Sequence, residues 1–126
     1  MRTLVDVFRS FKNYEKNVFV YRTGIRRLCM MYSDFCNLSL TMASWLESMG
    51  VKRGDRILLW APNSPWWAVV YWGCVVRGII VVPVDFASGK ERAESIARLT
   101  DARIIFQSLY KADLIDSPNA VLIEDT

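Results

Sequence analysis

The chain contains no histidine. That absence removes the side chain whose ordinary pKa lies nearest neutrality, and with it the Ser-His and Cys-His nucleophile pairs and every histidine-bearing metal site. Cysteine is scarce. Cys29, Cys36 and Cys74 are the only three and none forms a CxxC pair, so neither a zinc ribbon nor a redox dithiol is available. An odd count scattered among apolar residues reads as reduced, buried thiols of a cytoplasmic protein. Six glycines are present, but no G-x-G-x-x-G, and hence no glycine-rich turn that would let phosphate approach backbone N–H groups. Charge of one sign is lacking too: 16 basic against 13 acidic residues leave +3, too little to argue for nucleic acid as a partner. The N-terminal MRTLVDVFRSFKNYEKN carries a charge every few residues and has no apolar core of the signal-peptide kind.

What is present suits a packed α/β unit. The 126 residues are 52% hydrophobic and 13% aromatic, which excludes disorder and supplies a core for one domain spanning residues 1–126. The 20-residue stretch from Ile57 to Val76 has no formal charge and matches the length of a membrane span. Pro62-Asn63-Ser64-Pro65 interrupts it, however, and splits it into a strand and a separate helix, so no transmembrane segment is expected.

The pattern of elements follows from periodicity and punctuation. Thr3 and Asp6 mark a helix start, with Leu4, Val7, Phe8 and Phe11 on one stripe. Val18 to Tyr21 and Ile25 to Met31 read as a β-hairpin around Thr23-Gly24. Ser33 is the expected N-cap of a helix carrying Phe35, Leu38, Met42, Trp45, Leu46 and Met49, which Gly50 stops and Val51 closes. Arg56 to Trp60 is a short apolar strand. Ser64 caps the next helix with Pro65 at its first position, and Trp66 to Arg77 is apolar nearly all round. Gly78 ends it, and the β-branched run Ile79 to Val84 predicts a strand buried on both faces. Ser88 and Glu91 form a capping-box pattern before a helix whose inner stripe is Ala93, Ile96, Ala97 and Leu99. Arg103 to Phe106 and Ala120 to Ile123 complete the strands. Residues 1–32 thus form a helix and hairpin, and residues 33–126 form βαβ units. The fold expected is three-layer α/β, with a mostly parallel sheet and flanking helices.

Few residues suggest chemistry. Gly89-Lys90 invites a phosphate-loop reading, but that motif requires glycine where Val84 stands and Ser or Thr where Glu91 stands. Arg53-Gly54-Asp55 spells an adhesion tripeptide and reads first as a turn, with glycine supplying positive φ. Asp85 stands just past the carboxyl end of a strand, where open α/β sheets bind ligands; it reads first as a turn acceptor or helix-start charge, and second as a functional carboxylate. Arg22, Arg26 and Arg27, flanked by Tyr21 and Tyr32, read as a solvated hairpin edge, with an acidic or nucleic-acid partner as the other reading. Trp66, Trp67, Tyr71 and Trp72 could line an apolar pocket or carrier groove; at helical spacing and without charge they read first as packing.

Taken together, several of these segments resemble a known family. Met31-Tyr32-Ser33-Asp34-Phe35, a helix, and Leu46-Glu47-Ser48-Met49-Gly50-Val51-Lys52-Arg53-Gly54-Asp55-Arg56-Ile57 are similar to the opening of the AMP-forming adenylate enzymes. That superfamily holds acyl-CoA synthetases, nonribosomal peptide synthetase adenylation domains and luciferases. Ala61-Pro62-Asn63-Ser64-Pro65 matches its Pro-Asn-Ser loop. The run Trp72-Gly73-Cys74-Val75-Val76-Arg77-Gly78-Ile79-Ile80-Val81-Val82-Pro83-Val84-Asp85 resembles its glycine step into VPVD, and Thr100-Asp101-Ala102-Arg103-Ile104-Ile105-Phe106 its following segment. The resemblance spans about residues 20 to 110. It implies an N-terminal subdomain of a much longer enzyme that joins a carboxylic acid to ATP with magnesium and passes the acyl group to a thiol, usually that of coenzyme A, a carrier protein being the other acceptor. Trp66, Trp67, Trp72 and Phe86-Ala87-Ser88 lean towards the fatty acyl-CoA synthetase branch. In that family the phosphate loop and the catalytic lysine come later in the chain, so no catalytic, cofactor-binding or metal residue is expected here and the piece alone should be inactive. Its expected partner is the remainder of the parent chain. The contrasting reading is a free-standing interaction module using the helix Trp66 to Arg77, whose apolar surface would also favour a homodimer.

Overall fold

The structure, a computed structural model, describes residues 4–11, 17–23, 26–108, 110, 111 and 113–125; of residues 17–23, 26–29 and 125 it describes the backbone only. The elements in order are helix α1 (Leu4–Ser10), strands β1 (Asn17–Thr23) and β2 (Arg26–Met31), α2 (Tyr32–Ser48), β3 (Arg56–Trp60), α3 (Pro65–Arg77), β4 (Ile80–Pro83), α4 (Lys90–Thr100), β5 (Ile104–Gln107) and β6 (Ala120–Leu122), then a 3-10 turn, Ile123–Asp125. Strands β1 and β2 form an antiparallel hairpin. The other four make one sheet in the order β4-β3-β5-β6, every pair parallel. The α/β class and the N-terminal hairpin are as the sequence predicts.

The core divides by strand alternation. Ile57 and Leu59 of β3 face α2 and α3 together with Ile104 and Phe106 of β5, while Leu58 and Trp60 face Ala93 and Ala97 of α4. All four β3 residues are fully buried, each aliphatic one contributing about 2 kcal/mol of hydrophobic stabilisation. On the first face an aromatic chain ties α1 to the helices. Phe11 lies 5.2 Å from Trp72, Phe8 5.9 Å from Trp72, and Phe11 6.0 Å from Phe35, measured between ring centroids.

Helices α2, α3 and α4 end in one repeated turn. Val51 N–H donates to Leu46 O, Ile79 N–H to Cys74 O, and Ala102 N–H to Ala97 O. Each is the six-to-one bond of a helix closed by a left-handed residue. The closing residues are Gly50 (φ 80°), Gly78 (φ 71°) and Asp101 (φ 53°). Arg103 donates to Gly50 O and Arg56 to Thr100 O, both at 3.3 Å, setting cations at the negative ends of α2 and α4.

Six local expectations are corrected. Strand β4 is not buried on both faces: it is a sheet edge and Ile80 is 48% exposed, because the chain crosses back over β3 and gives the central positions to β3 and β5. Helix α2 starts at Tyr32, with Met31 as a cap that makes no side-chain bond, since β2 runs into it without a connecting residue; Ser33 lies in the first turn. Ser88 does not cap α4. Gly89 does, without a side-chain bond, because the Ser88 N–H to Asp85 O turn moves the helix start along by one. Leu99, on the outer side of α4, and Met49, beyond the end of α2, are exposed, as is Leu4 in the first turn of α1. The Thr3 cap and the Gly24 turn lie outside the described residues.

Gly73 sets the closest approach of α2 and α3. A Cβ placed there would lie 2.8 Å from Met42 Cγ and 3.0 Å from Ser39 O, so the helices must separate to admit it. Gly73→Ala is expected to lower the unfolding free energy by about 1–3 kcal/mol. Asp101→Gly, which relieves a left-handed L-residue, is expected to raise it by up to about 1 kcal/mol. Urea midpoints check both, and an unchanged Gly73→Ala midpoint would contradict the packing argument.

Candidate functional site

The sheet topology itself locates the place to examine. From the carboxyl end of β3 the chain passes through α3 to β4 on one side, and from the carboxyl end of β5 it runs the other way to β6, so the connections diverge between β3 and β5, the ligand position of open α/β sheets. Trp60 and Gln107, the last residues of those strands, are register partners.

That position is filled by the chain's own groups. The buried Trp60 indole N–H donates to Ser88 O at 3.2 Å. Lys111 Nζ stands 4.7 Å from the Phe86 ring and 5.6 Å from the Trp60 ring, a cation held by two aromatic faces. The Gln107 side chain grips Ile115 twice, donating from Nε2 to its carbonyl at 3.0 Å and accepting its N–H at Oε1 at 2.8 Å. Ser108, also buried, donates to Glu124 Oε1 at 2.5 Å and accepts Tyr110 N–H. Lys90 pairs with Asp113 at 3.7 Å and Glu94 at 3.9 Å. The β5–β6 connection is thereby strapped over the end of the sheet. Sequence reasoning passed over Lys111, Gln107 and Ser108; a polar pair directly after an apolar strand was the one available signal.

Beside the strap lies a cavity of about 260 Å³ whose walls include Asn63, Trp67, Asp85 and Phe86. Asp85 belongs to that wall and is also a turn acceptor: its Oδ1 takes Ala87 N–H at 3.0 Å and its carbonyl takes Ser88 N–H at 2.9 Å. The other candidates part company. Trp67 stacks on Tyr71 at 5.6 Å and Trp72 packs against α1, while Trp66 turns to a separate groove beside β6. Arg53-Gly54-Asp55 is a turn: Gly54 has φ 87° and Asp55 Oδ2 accepts Lys52 N–H at 2.8 Å. Arg22 stands opposite Arg27 and Arg26 opposite Thr23 in the hairpin register. Cys36 and Cys74 are free and buried. Burial raises both thiols, Cys74 to about 12, which removes them as nucleophiles.

A parallel sheet covered on both faces, with a switch point held shut by its own side chains, defines a doubly wound α/β framework. The chain belongs to the AMP-binding enzyme family, whose model matches residues 8–125. It is 33% identical over 97 residues to an N-benzoylphenylalaninol synthetase of Penicillium brevicompactum, covering 76% of this chain and 4% of that one. It is 34% identical over 70 residues to a mitochondrial medium-chain acyl-CoA ligase of Mus musculus, covering 55% of this chain and 11% of that one. Among solved structures, the fatty acid AMP ligase from Legionella pneumophila superposes with a TM-score of 0.78 at 24% identity, covering 98% of this chain and 23% of that one. That likeness is one of fold. The chain therefore spans only a small part of the length of these relatives.

The described residues offer neither a cluster of metal ligands nor a glycine-rich phosphate loop. Among the described residues no group of three or more His, Cys, Asp or Glu is placed to hold a metal ion. The start of α4 offers Gly89 without a glycine-rich loop, and Lys90 is already paired with carboxylates.

The Cys74 thiol yields a pH test. Its folded pKa of about 12 exceeds the ordinary 9.0, so the native state keeps a proton that the unfolded state loses. Its contribution is fully present below the ordinary pKa and is lost as pH rises towards the folded one. Cys74→Val is expected to flatten the alkaline loss of stability by about 1.4 kcal/mol per pH unit across that window, read from urea midpoints. An unaltered slope would show that the thiol titrates normally.

Proposed function

We propose that residues 1–126 are the N-terminal framework of an AMP-forming acyl-CoA synthetase and are inactive alone. The parent joins a carboxylic acid to the α-phosphate of ATP, releases diphosphate, and transfers the acyl group to the thiol of coenzyme A. The observation that carries the reading is the family match over nearly the whole chain, combined with a switch point closed by Lys111, Gln107 and Trp60. Acyl-CoA formation rather than peptide synthesis is favoured by the acyl-CoA ligase of Mus musculus and by the Trp and Phe86-Ala87-Ser88 features of the sequence.

In this reading ATP, magnesium and coenzyme A engage parts of the parent beyond these residues, and they supply the phosphoryl and thioester chemistry. This chain's residues have a mechanical task. Helix α1 and strands β1 and β2 brace α2 and α3, and Trp67 of α3 and Phe86 after β4 back the cavity beside the sheet. A cytoplasmic setting agrees with the free Cys36 and Cys74; among the described residues no helix is long and apolar enough to cross a membrane. The interaction-module reading needs an open α3, and the homodimer it favours needs the same surface. Yet α1, α2 and the sheet cover α3 and leave Trp66 as its one exposed large apolar side chain among the described residues.

Calorimetric titration of the 126-residue chain with Mg-ATP is expected to show no binding, with or without a fatty acid. The parent given the acid, ATP and coenzyme A is expected to release diphosphate and form the thioester. Micromolar nucleotide binding by the short chain, or a parent that adenylates only amino acids, would overturn the respective half of the proposal.

A further inference from the structure

The amino end of the parallel sheet presents exposed side chains that the fold does not consume. Residues 51–55 join α2 to β3 there, and Gly54 is the tip of their turn, with nothing within 4 Å of the place a Cβ would take. Gly54 N–H donates to Gly78 O at 3.0 Å and Ile80 N–H to Asp55 O at 2.8 Å, so the turn sits against the end of α3 and the start of β4. Lys52, Arg53, Arg56, Arg77 and Arg103 gather round it. Arg77 and Arg103 are answered by Glu47 at 3.2 Å and Asp55 at 3.8 Å, and Arg56 donates to Thr100 O. Lys52 and Arg53 are exposed and form no ion pair among the described residues. The Arg53 stem runs along Gly78, its Cγ 2.9 Å from where a Cβ would stand. Asp101 and Asp116 stand in the wall of a separate cavity on the α4 side.

Two large apolar side chains flank these cations. Met49 follows the end of α2 and is 52% exposed; Ile80 opens β4, opposite Arg56 in the register, and is 48% exposed. Neither lines the cavity beside the strap or the groove beside β6. Single apolar tips among long cations, round a projecting turn, suit a fluid anionic surface better than a folded partner. A folded partner holds its anchors in shaped pockets with fixed polar groups. Lipid headgroups instead move to meet Lys and Arg, whose stems lie on apolar surface while their heads reach phosphate, and Met and Ile enter the acyl boundary one at a time. Docking by this end also leaves the carboxyl ends of the strands, with the strap over them, facing water.

We propose that this end of the sheet, centred on Met49, Lys52, Arg53 and Ile80, is a docking face for an anionic lipid bilayer. Charge complementarity selects the anionic lipid, and the exposed Met49 and Ile80 select a bilayer over a free phosphate. Docking is peripheral and reversible, because few unpaired cations and two half-exposed side chains carry it, and salt weakens it by screening. The proposal does not rest on the framework reading, since these residues carry the whole face.

The test is co-sedimentation of the 126-residue chain with vesicles of phosphatidylcholine alone and of phosphatidylcholine mixed with phosphatidylserine. The chain is expected to partition to the mixed vesicles and not to the neutral ones, less so as salt is added. The double change Lys52→Gln, Arg53→Gln is expected to lower the partition constant about tenfold, and Met49→Ser, Ile80→Ser about threefold or more. Arg92→Gln, an exposed cation on α4, is expected to change it less than about twofold. Circular dichroism confirms that each variant folds, and every substituted residue is exposed. Equal partition to neutral vesicles, indifference to either double change, or no binding at all would overturn the proposal. So would retention on immobilised polyglutamate as strong as on the mixed vesicles, which would point to an acidic protein instead. A chain that ignores vesicles loses this inference and keeps the framework reading; one that turns over ATP unaided loses the framework reading whatever the vesicles do.

Discussion

A strand buried on both faces is the constraint from which the rest of this molecule follows. Each side chain of β3 after Arg56 must be apolar, because Ile57 and Leu59 meet one helical layer and Leu58 and Trp60 the other. Its backbone groups must be satisfied sideways, by β4 on one flank and β5 on the other. Parallel neighbours demand crossovers, and crossovers demand helices that stop sharply and return. Gly78 and Asp101 perform those stops, and Gly50 ends α2 before β3, with the same left-handed turn.

The two ends of the sheet then acquire different characters. Where α2, α3 and α4 finish, Arg103 and Arg56 are spent on helix carbonyls, and Arg53 lies along Gly78. Those cations serve the fold. At the opposite end, where a doubly wound sheet ordinarily receives its ligand, Lys111 stands over two rings and Gln107 holds Ile115. Groups locked in this way stabilise the end of the sheet. The chain belongs to the AMP-binding enzyme family and spans a small share of its relatives' length.

Much of this was legible wherever local chemistry is decisive. Ser64 accepts Trp67 N–H at 3.2 Å with Pro65 at the first helical position, and Gly50 and Gly78 end helices as their φ freedom requires. The parallel class followed from strands alternating with helices. What escaped depends on neighbours that a one-dimensional pattern does not contain. The run Ile79 to Val84 looks like a central strand, yet only strand order decides that it is an edge. Leu99 is hydrophobic but lies on the outer side of α4. Ser88 has capping chemistry, but a turn closed by Asp85 shifts the helix start past it. Lys111 could not be placed over Trp60 without knowing how the β5–β6 connection folds back. Asp85 was placed correctly at a strand's carboxyl end, where it accepts turn N–H groups and also belongs to the wall of a cavity.

Hydrogen exchange resolved to single amides, run with and without Mg-ATP, probes the account at its root. The amides of Ile57 to Trp60 should exchange only through global unfolding, and nucleotide should leave residues 60–63, 83–90 and 107–115 unchanged. Early exchange in β3, or new protection at that end of the sheet when nucleotide is added, would contradict a self-filled framework built around one doubly buried strand.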